Sequence, residues 1–139
     1  MAVSPNPFQN LVLDAGALSL FFAGDPRVVP YFNRIDQGQA TGLITEVNLT
    51  EYYYKTCQKI GRQAADTRYF LLRNSKLKTI GDESLSRLAG LDIYKQKLDL
   101  SLADYFALAL AKRENATLIT TDRELGKAKD VPTKFFRVQ

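Results

Sequence analysis

The chemistry open to this chain is bounded by its carboxylates. Asp104 is the only charge in Leu102-Ala-Asp-Tyr-Phe-Ala-Leu-Ala-Leu-Ala111, a stretch otherwise apolar enough for a helix buried on nearly every side. Taking an ionised aspartate out of water is costly unless a cation or strong donors compensate. No basic residue lies within a helical turn of Asp104 in sequence, so its partner must come from elsewhere, and a metal ion is one candidate. Asp14 repeats the pattern as the only charge in residues 1–24, inside Leu11-Val-Leu-Asp-Ala-Gly-Ala-Leu-Ser-Leu-Phe-Phe22. Two isolated acids in core-like segments point to one shared site.

Two further acids are candidates for it. Asp122 ends Thr120-Thr-Asp122, and Glu51 lies within a predicted helix. Each acid also has a purely structural use. Asp14 and Asp122 suit helix caps, and Glu51 suits an i,i+4 pair with Lys55. Asp104, three residues after Ser101, suits a variant capping box. Glu46 points about 140° away from Glu51 around the helix and sits in its first turn, where the helix dipole welcomes an acid. We therefore assign Glu46 to structure. Aspartate and glutamate without histidine or cysteine are the ligand set of a hard ion, Mg²⁺ or Mn²⁺.

The elements that must position these acids alternate between strand and helix. Leu11 to Leu13 reads as a buried strand running into a helix that ends at Gly24-Asp-Pro26. Pro26 fits the first turn of a second helix through about Asp36. Gly42 to Ile44 is a short strand, Thr45 caps a helix to about Lys59, and Gly61 stops it. Further elements are a helix from Arg62 to Asn74, a strand Leu77 to Ile80, and a helix from Gly81-Asp82 to about Lys97. The Ser101-capped helix, a strand Thr117 to Thr120, a short turn or helix at Asp122 and a final strand Lys134 to Val138 complete the chain. Such alternation predicts an α/β domain whose mainly parallel sheet is covered on both faces. In open sheets of this kind ligands collect at the carboxyl ends of the strands, where Asp14, Thr45 and Asp122 fall.

Composition narrows the possibilities. The 139 residues, 45% hydrophobic and 24% charged, suit one domain spanning 1–139. Ser4-Pro-Asn-Pro7 reads as a short lead-in. No apolar run spans a bilayer and no basic region precedes the first apolar run, so a cytoplasmic protein without a membrane partner is expected. Histidine is absent, which excludes imidazole catalysis and imidazole zinc sites, and the single cysteine, Cys57, excludes an internal disulfide. With four of the 15 acids withdrawn into one pocket, 11 remain against 19 basic residues. Seven of those basic residues lie between Lys55 and Lys78 beside one acid, Asp66, a segment suited either to a solvated helix face or to a phosphate backbone.

The succession Leu11-Val-Leu-Asp14, Ile44-Thr-Glu-Val-Asn-Leu-Thr-Glu51, Leu100-Ser-Leu-Ala-Asp104 and Ala116-Thr-Leu-Ile-Thr-Thr-Asp122 resembles the PIN-domain nucleases. Order, spacing and length are closest to VapC-type toxins of toxin-antitoxin pairs, and the resemblance runs from Leu11 to Val138. It implies a three-layer α/β/α fold with a central sheet of about five strands. It also implies an acidic site of Asp14, Glu51, Asp104 and Asp122 supported by Thr120. Gly16 departs from the pattern, since many members carry Ser or Asn just after the first acid.

The function expected from these residues is a Mg²⁺- or Mn²⁺-dependent endoribonuclease with Lys55, Arg62 and Arg73 holding RNA by its phosphates, and the resemblance implies the toxin of a VapBC-type pair. The resemblance further implies a small antitoxin partner and a homodimer. The alternatives are a PIN-domain RNA-processing nuclease outside any toxin pair, or a protein acting mainly by binding a small partner. The run Tyr52-Tyr-Tyr54 must place at least one ring outward for such contacts. A phosphoacceptor signalling domain fits poorly, because no lysine closes Leu118-Ile-Thr-Thr121 and no adjacent acids follow the first strand.

Overall fold

The computed structural model describes residues 9–96 and 98–138, so the lead-in at Ser4 to Pro7 and the end of the predicted helix at Lys97 lie outside the described residues. Along the chain run β1 (Gln9–Leu13), α1 (Ala15–Phe22), α2 (Val29–Asp36), β2 (Ala40–Thr45), α3 (Glu46–Ile60) and α4 (Arg62–Arg73). They are followed by β3 (Lys78–Ile80), α5 (Glu83–Lys95), α6 (Leu102–Arg113), β4 (Thr117–Thr120), α7 (Arg123–Gly126) and β5 (Thr133–Phe135). The strands form one sheet in the order β3-β2-β1-β4-β5, and every pairing is parallel.

The central strands are apolar on both faces because both faces are covered. Leu11, Leu13, Ile44 and Ile119 join one core with Leu18, Ile35, Leu49, Tyr52 and Leu72, contributed by α1 to α4. Val12, Leu43 and Leu118 point the other way and join Leu85, Ala89 and Ala107 to Ala111 of α5 and α6. Strand periodicity of two thus divides each central strand between two cores, and the result is the three-layer α/β/α arrangement. Each buried leucine contributes about 1.5–3 kcal/mol relative to its exposed state. Leu11, Val12, Leu13, Leu118 and Ile119 show no exposed surface.

Two boundaries depart by three residues from the sequence reading. The helix expected from Pro26 begins only at Val29, because Asp25 builds a turn of its own. Its carboxylate accepts from the Arg27 amide at 2.9 Å and its carbonyl from the Val28 and Val29 amides. Pro30, not Pro26, occupies the first turn of α2, where a missing N–H costs nothing. The last strand lies at Thr133–Phe135 instead of Lys134 to Val138. Its partner β4 is only four residues long, and Phe135 already pairs with its last residue, Thr120.

Gly61 separates α3 from α4 with φ +94°, a conformation that side-chain-bearing residues rarely adopt. It turns the chain so that α4 folds back along α3.

Candidate active site

The order of the strands places β1 between β2 and β4, and the loops leaving β1 and β4 part at their carboxyl ends. A cavity of about 770 Å³ opens there. Asp14, Glu51, Asp104 and Asp122 all line it, so residues separated by up to 108 positions meet at one place.

Asp14 is 4% exposed and caps α1, accepting from the Ala17 amide at 2.8 Å. Its other oxygen accepts from the Thr120 hydroxyl. Thr120 in turn accepts from the Asp122 amide at 2.9 Å, so a single side chain at the end of β4 orients one acid and holds the backbone of another. Burial pushes the Asp14 carboxyl up to about 6 against the pull of the Thr120 and Ala17 hydrogen bonds, and the charge of Asp104 adds to the rise.

Asp104 is 8% exposed in the first turn of α6. The hydroxyl of Ser101 caps that helix by accepting from the Asp104 amide at 3.1 Å. Burial pushes the Asp104 carboxyl to about 6, and repulsion from Asp122 and Glu51 adds to it, while hydrogen bonds from the Ser101 hydroxyl and amide work the other way. The charge of Asp104 thus adds to the rise at Asp14, and the charges of Asp122 and Glu51 add to the rise at Asp104.

Asp122 caps α7 through the Leu125 amide at 2.8 Å, and Glu51 faces the cavity from α3 with Lys55 at 3.5 Å. Capping and cavity-lining coexist in Asp14 and Asp122, because each carboxylate oxygen can accept from more than one partner. Glu46 lies elsewhere, held by the Arg73 guanidinium at 2.8 and 2.9 Å.

The basic residues divide sharply. Lys55 lines the cavity and so does Lys59, one turn further along α3. Arg62 faces Asp66 at 3.6 Å and does not line it, nor does Arg73, which is occupied by Glu46 and the Tyr69 hydroxyl. Lys76 reaches the Asp36 carbonyl at 2.7 Å, and Arg68 lies over the Phe22 ring. The basic segment is thus dispersed by its helices instead of forming one track.

Four participants were not singled out from the sequence as site residues. Asp99 and Thr121 line the cavity, Lys59 extends the basic edge, and buried Asn48 ties the site together. Asn48 follows the Thr45 cap by three residues, a pattern readable in sequence as a cap contact. That its amide also reaches across to Ala103 is set by the packing of α3 on α6.

The site's donors fit a hard divalent cation in kind: they are carboxylates, they repel one another, and the two most buried are pushed well above their ordinary range. Among the described residues no three acidic, histidine or cysteine side chains are grouped to hold an ion on their own. Mg²⁺ is commonly held by one or two carboxylates with water and substrate phosphate completing its shell, and the carboxylates lining this cavity supply that number.

The parallel α/β sheet thus carries carboxylates and two lysines around one cavity at its carboxyl edge. The chain belongs to the PIN domain family, whose model matches residues 11–131. Among solved structures it is similar in fold to the Mycobacterium tuberculosis toxin VapC20, described as cleaving the sarcin-ricin loop. That match has 16% identity and a TM-score of 0.69 over 93% of this chain and 98% of that one. It is also similar to VapBC2 from Rickettsia felis bound to a promoter DNA fragment, at 15% identity and a TM-score of 0.72 over 92% and 99%. VapBC from Salmonella typhimurium bound to DNA matches at 12% identity and a TM-score of 0.71 over 91% and 97%. No curated protein matches the chain significantly.

Proposed function

We propose that the protein is a Mg²⁺- or Mn²⁺-dependent endoribonuclease, the toxin of a VapBC-type pair, acting in the cytoplasm as a single domain. The observation that carries this reading is the position of Asp104, buried at the head of α6 and repelled by Glu51 and Asp122 and, across the cavity, by Asp14. A divalent cation held by Asp104 and Asp14, with Glu51 and Asp122 completing the site, would supply Lewis-acid stabilisation of the charge developing on a scissile phosphate.

The chain's own residues do the rest. Thr120 and the α1 amide hold the Asp14 carboxylate in one orientation, and the Ser101 hydroxyl fixes the backbone that carries Asp104. Lys55 and Lys59 hold RNA phosphates at the cavity edge, a sequence-independent positioning contact. With no imidazole in the chain, the proton released by the attacking water passes to a carboxylate oxygen.

An RNA substrate agrees with a surface on which basic residues outnumber acids once the pocket's own acids are set apart. The toxin assignment, with a small antitoxin partner and a homodimer, draws on the toxin-antitoxin complexes among the structures of similar fold. Tyr54, Phe70 and Leu71 are exposed on α3 and α4 and supply apolar surface for such contacts.

The decisive experiment is cleavage of a mixed RNA substrate with and without Mg²⁺ or Mn²⁺. Asp104→Asn should abolish cation-stimulated cleavage while the variant stays folded, and undiminished cleavage would refute the reading. Co-expression with the neighbouring open reading frame tests the toxin role: growth arrest that the neighbour relieves supports it, and the absence of any arrest leaves a processing nuclease.

A further inference from the structure

Gly16 stands two residues beyond Asp14, in the first turn of α1 and on the wall of the acidic cavity. Its φ is not among the positive values that a glycine is needed for, so space and not backbone freedom accounts for the missing side chain. A Cβ built on Gly16 would meet the Thr121 hydroxyl oxygen at 1.8 Å, the Thr121 Cβ at 2.9 Å and its Cγ2 at 3.2 Å. Carbon atoms do not approach that closely. The notch that a side chain on α1 would fill is filled instead by Thr121, which arrives from the far side, out of the turn between β4 and α7.

The neighbours of Thr121 give that placement its chemical meaning. Thr120 and Asp122 flank it in sequence, and both are engaged at the site. The Thr121 backbone amide supports the Asp14 carboxylate. Thr121 lines the cavity, and no hydrogen bond among the described residues uses its hydroxyl, whereas the Thr120 hydroxyl is engaged on both sides. A hydroxyl can donate and accept at once. It is the complement that a ring of acceptor-only carboxylates lacks.

We propose that the Thr121 hydroxyl, seated in the notch left by Gly16, is a positioning group for the divalent cation at this site, hydrogen-bonded to the ion's hydration shell. The pair works by exclusion: the site has room for a side chain at 16 or at 121, and this chain supplies its hydroxyl from 121. The inference rests on the metal-dependent reading proposed above and names a residue that the four acids and Thr120 leave out.

The test measures Mn²⁺ binding to RNA-free protein by calorimetry, with thermal unfolding of each variant alongside and Asp104→Asn as the control that loses the ion. Thr121→Val, which keeps the shape and removes the hydroxyl, should weaken Mn²⁺ binding about 10–100-fold, the usual cost of losing an outer-shell partner. Thr121→Ser should bind as the wild type does. Gly16→Ser alone should weaken binding by driving the Thr121 side chain out of the notch. Gly16→Ser combined with Thr121→Gly moves the hydroxyl to the other side of the notch and should recover most of the affinity.

Wild-type affinity in Thr121→Val, or a double variant no better than either single one, overturns the proposal while leaving the nuclease reading standing. Should Thr121→Val unfold, the double variant decides. A wild-type chain that takes up no Mn²⁺ overturns both.

Discussion

The side-chain amide of Asn48 donates to the carbonyl of Ala103 at 3.1 Å, across a sequence separation of 55 residues. Asn48 shows no exposed surface, and Ala103 precedes Asp104. The helix carrying Glu51 is thereby pinned to the residue beside a buried acid of the cavity, while the Asn48 backbone N–H donates to the Thr45 hydroxyl at 2.9 Å and anchors the start of the same helix. Asn48→Ala strands the buried Thr45 hydroxyl, which donates to the Asn48 side-chain oxygen, and removes the bond that the Ala103 carbonyl receives from α3. The expected cost is roughly 1–3 kcal/mol in urea unfolding, accompanied by weaker cation-stimulated RNA cleavage. A variant as stable and active as the wild type would show that the two helices hold their relation by apolar packing alone.

Asp14 and Asp104 are held at about 6, against 3.8 for an ordinary aspartate. Between those values the native chain binds more protons than the unfolded one, so stability falls as pH rises from 3.8 through about 6 and is lowest above it. In the presence of a chelator, Asp104→Asn should therefore raise stability at pH 7 by roughly 1–3 kcal/mol. The gain should vanish below pH 3.8, where both states are protonated. Paired thermal melts across that range check the sign: a less stable asparagine variant at neutral pH would mean that the acid is already compensated within the protein.

Adding Mg²⁺ or Mn²⁺ should reverse that order. An ion that binds only the native state stabilises it by about 2.7 kcal/mol at a hundredfold excess over its dissociation constant. The wild type should gain in melting temperature on titration with either ion and Asp104→Asn should not, with chelation restoring the starting value. Equal shifts in the two proteins would place the ion elsewhere.

Lys55 and Lys59 line the cavity, while Arg73 is bound to Glu46. Lys55→Ala and Lys59→Ala should each weaken single-stranded RNA binding and lower the salt dependence by about 0.7 in log–log slope, the share of one phosphate. Arg73→Ala should leave RNA binding unchanged and cost roughly 0.2–1 kcal/mol of stability, the range of surface ion pairs. Binding measured over a salt series distinguishes them, and a larger RNA effect at Arg73 would mean that the nucleic acid follows α4.

The sequence by itself determined the element order and the identity of the acids. The unbroken apolar run Leu11 to Leu13, ending at a capping acid, suits a short strand buried on both faces. Thr45, Asp82, Ser101 and Asp122 announce helix starts by local capping chemistry, which acts over three residues and needs no tertiary partner. Asp14 and Asp104 stood out because an isolated charge in an apolar segment demands an explanation wherever the segment lies. What only the tertiary structure decided are relations between elements far apart in sequence. The basic segment is one block along the chain, yet the faces of α3 and α4 send Lys55 and Lys59 to the cavity and give Arg73 to Glu46. The resemblance singles out Thr120, but nothing local shows where the Thr121 side chain goes or that it packs against Gly16. Those depend on how closely α1 approaches the end of β4, a distance set by two cores packing on opposite faces of one sheet.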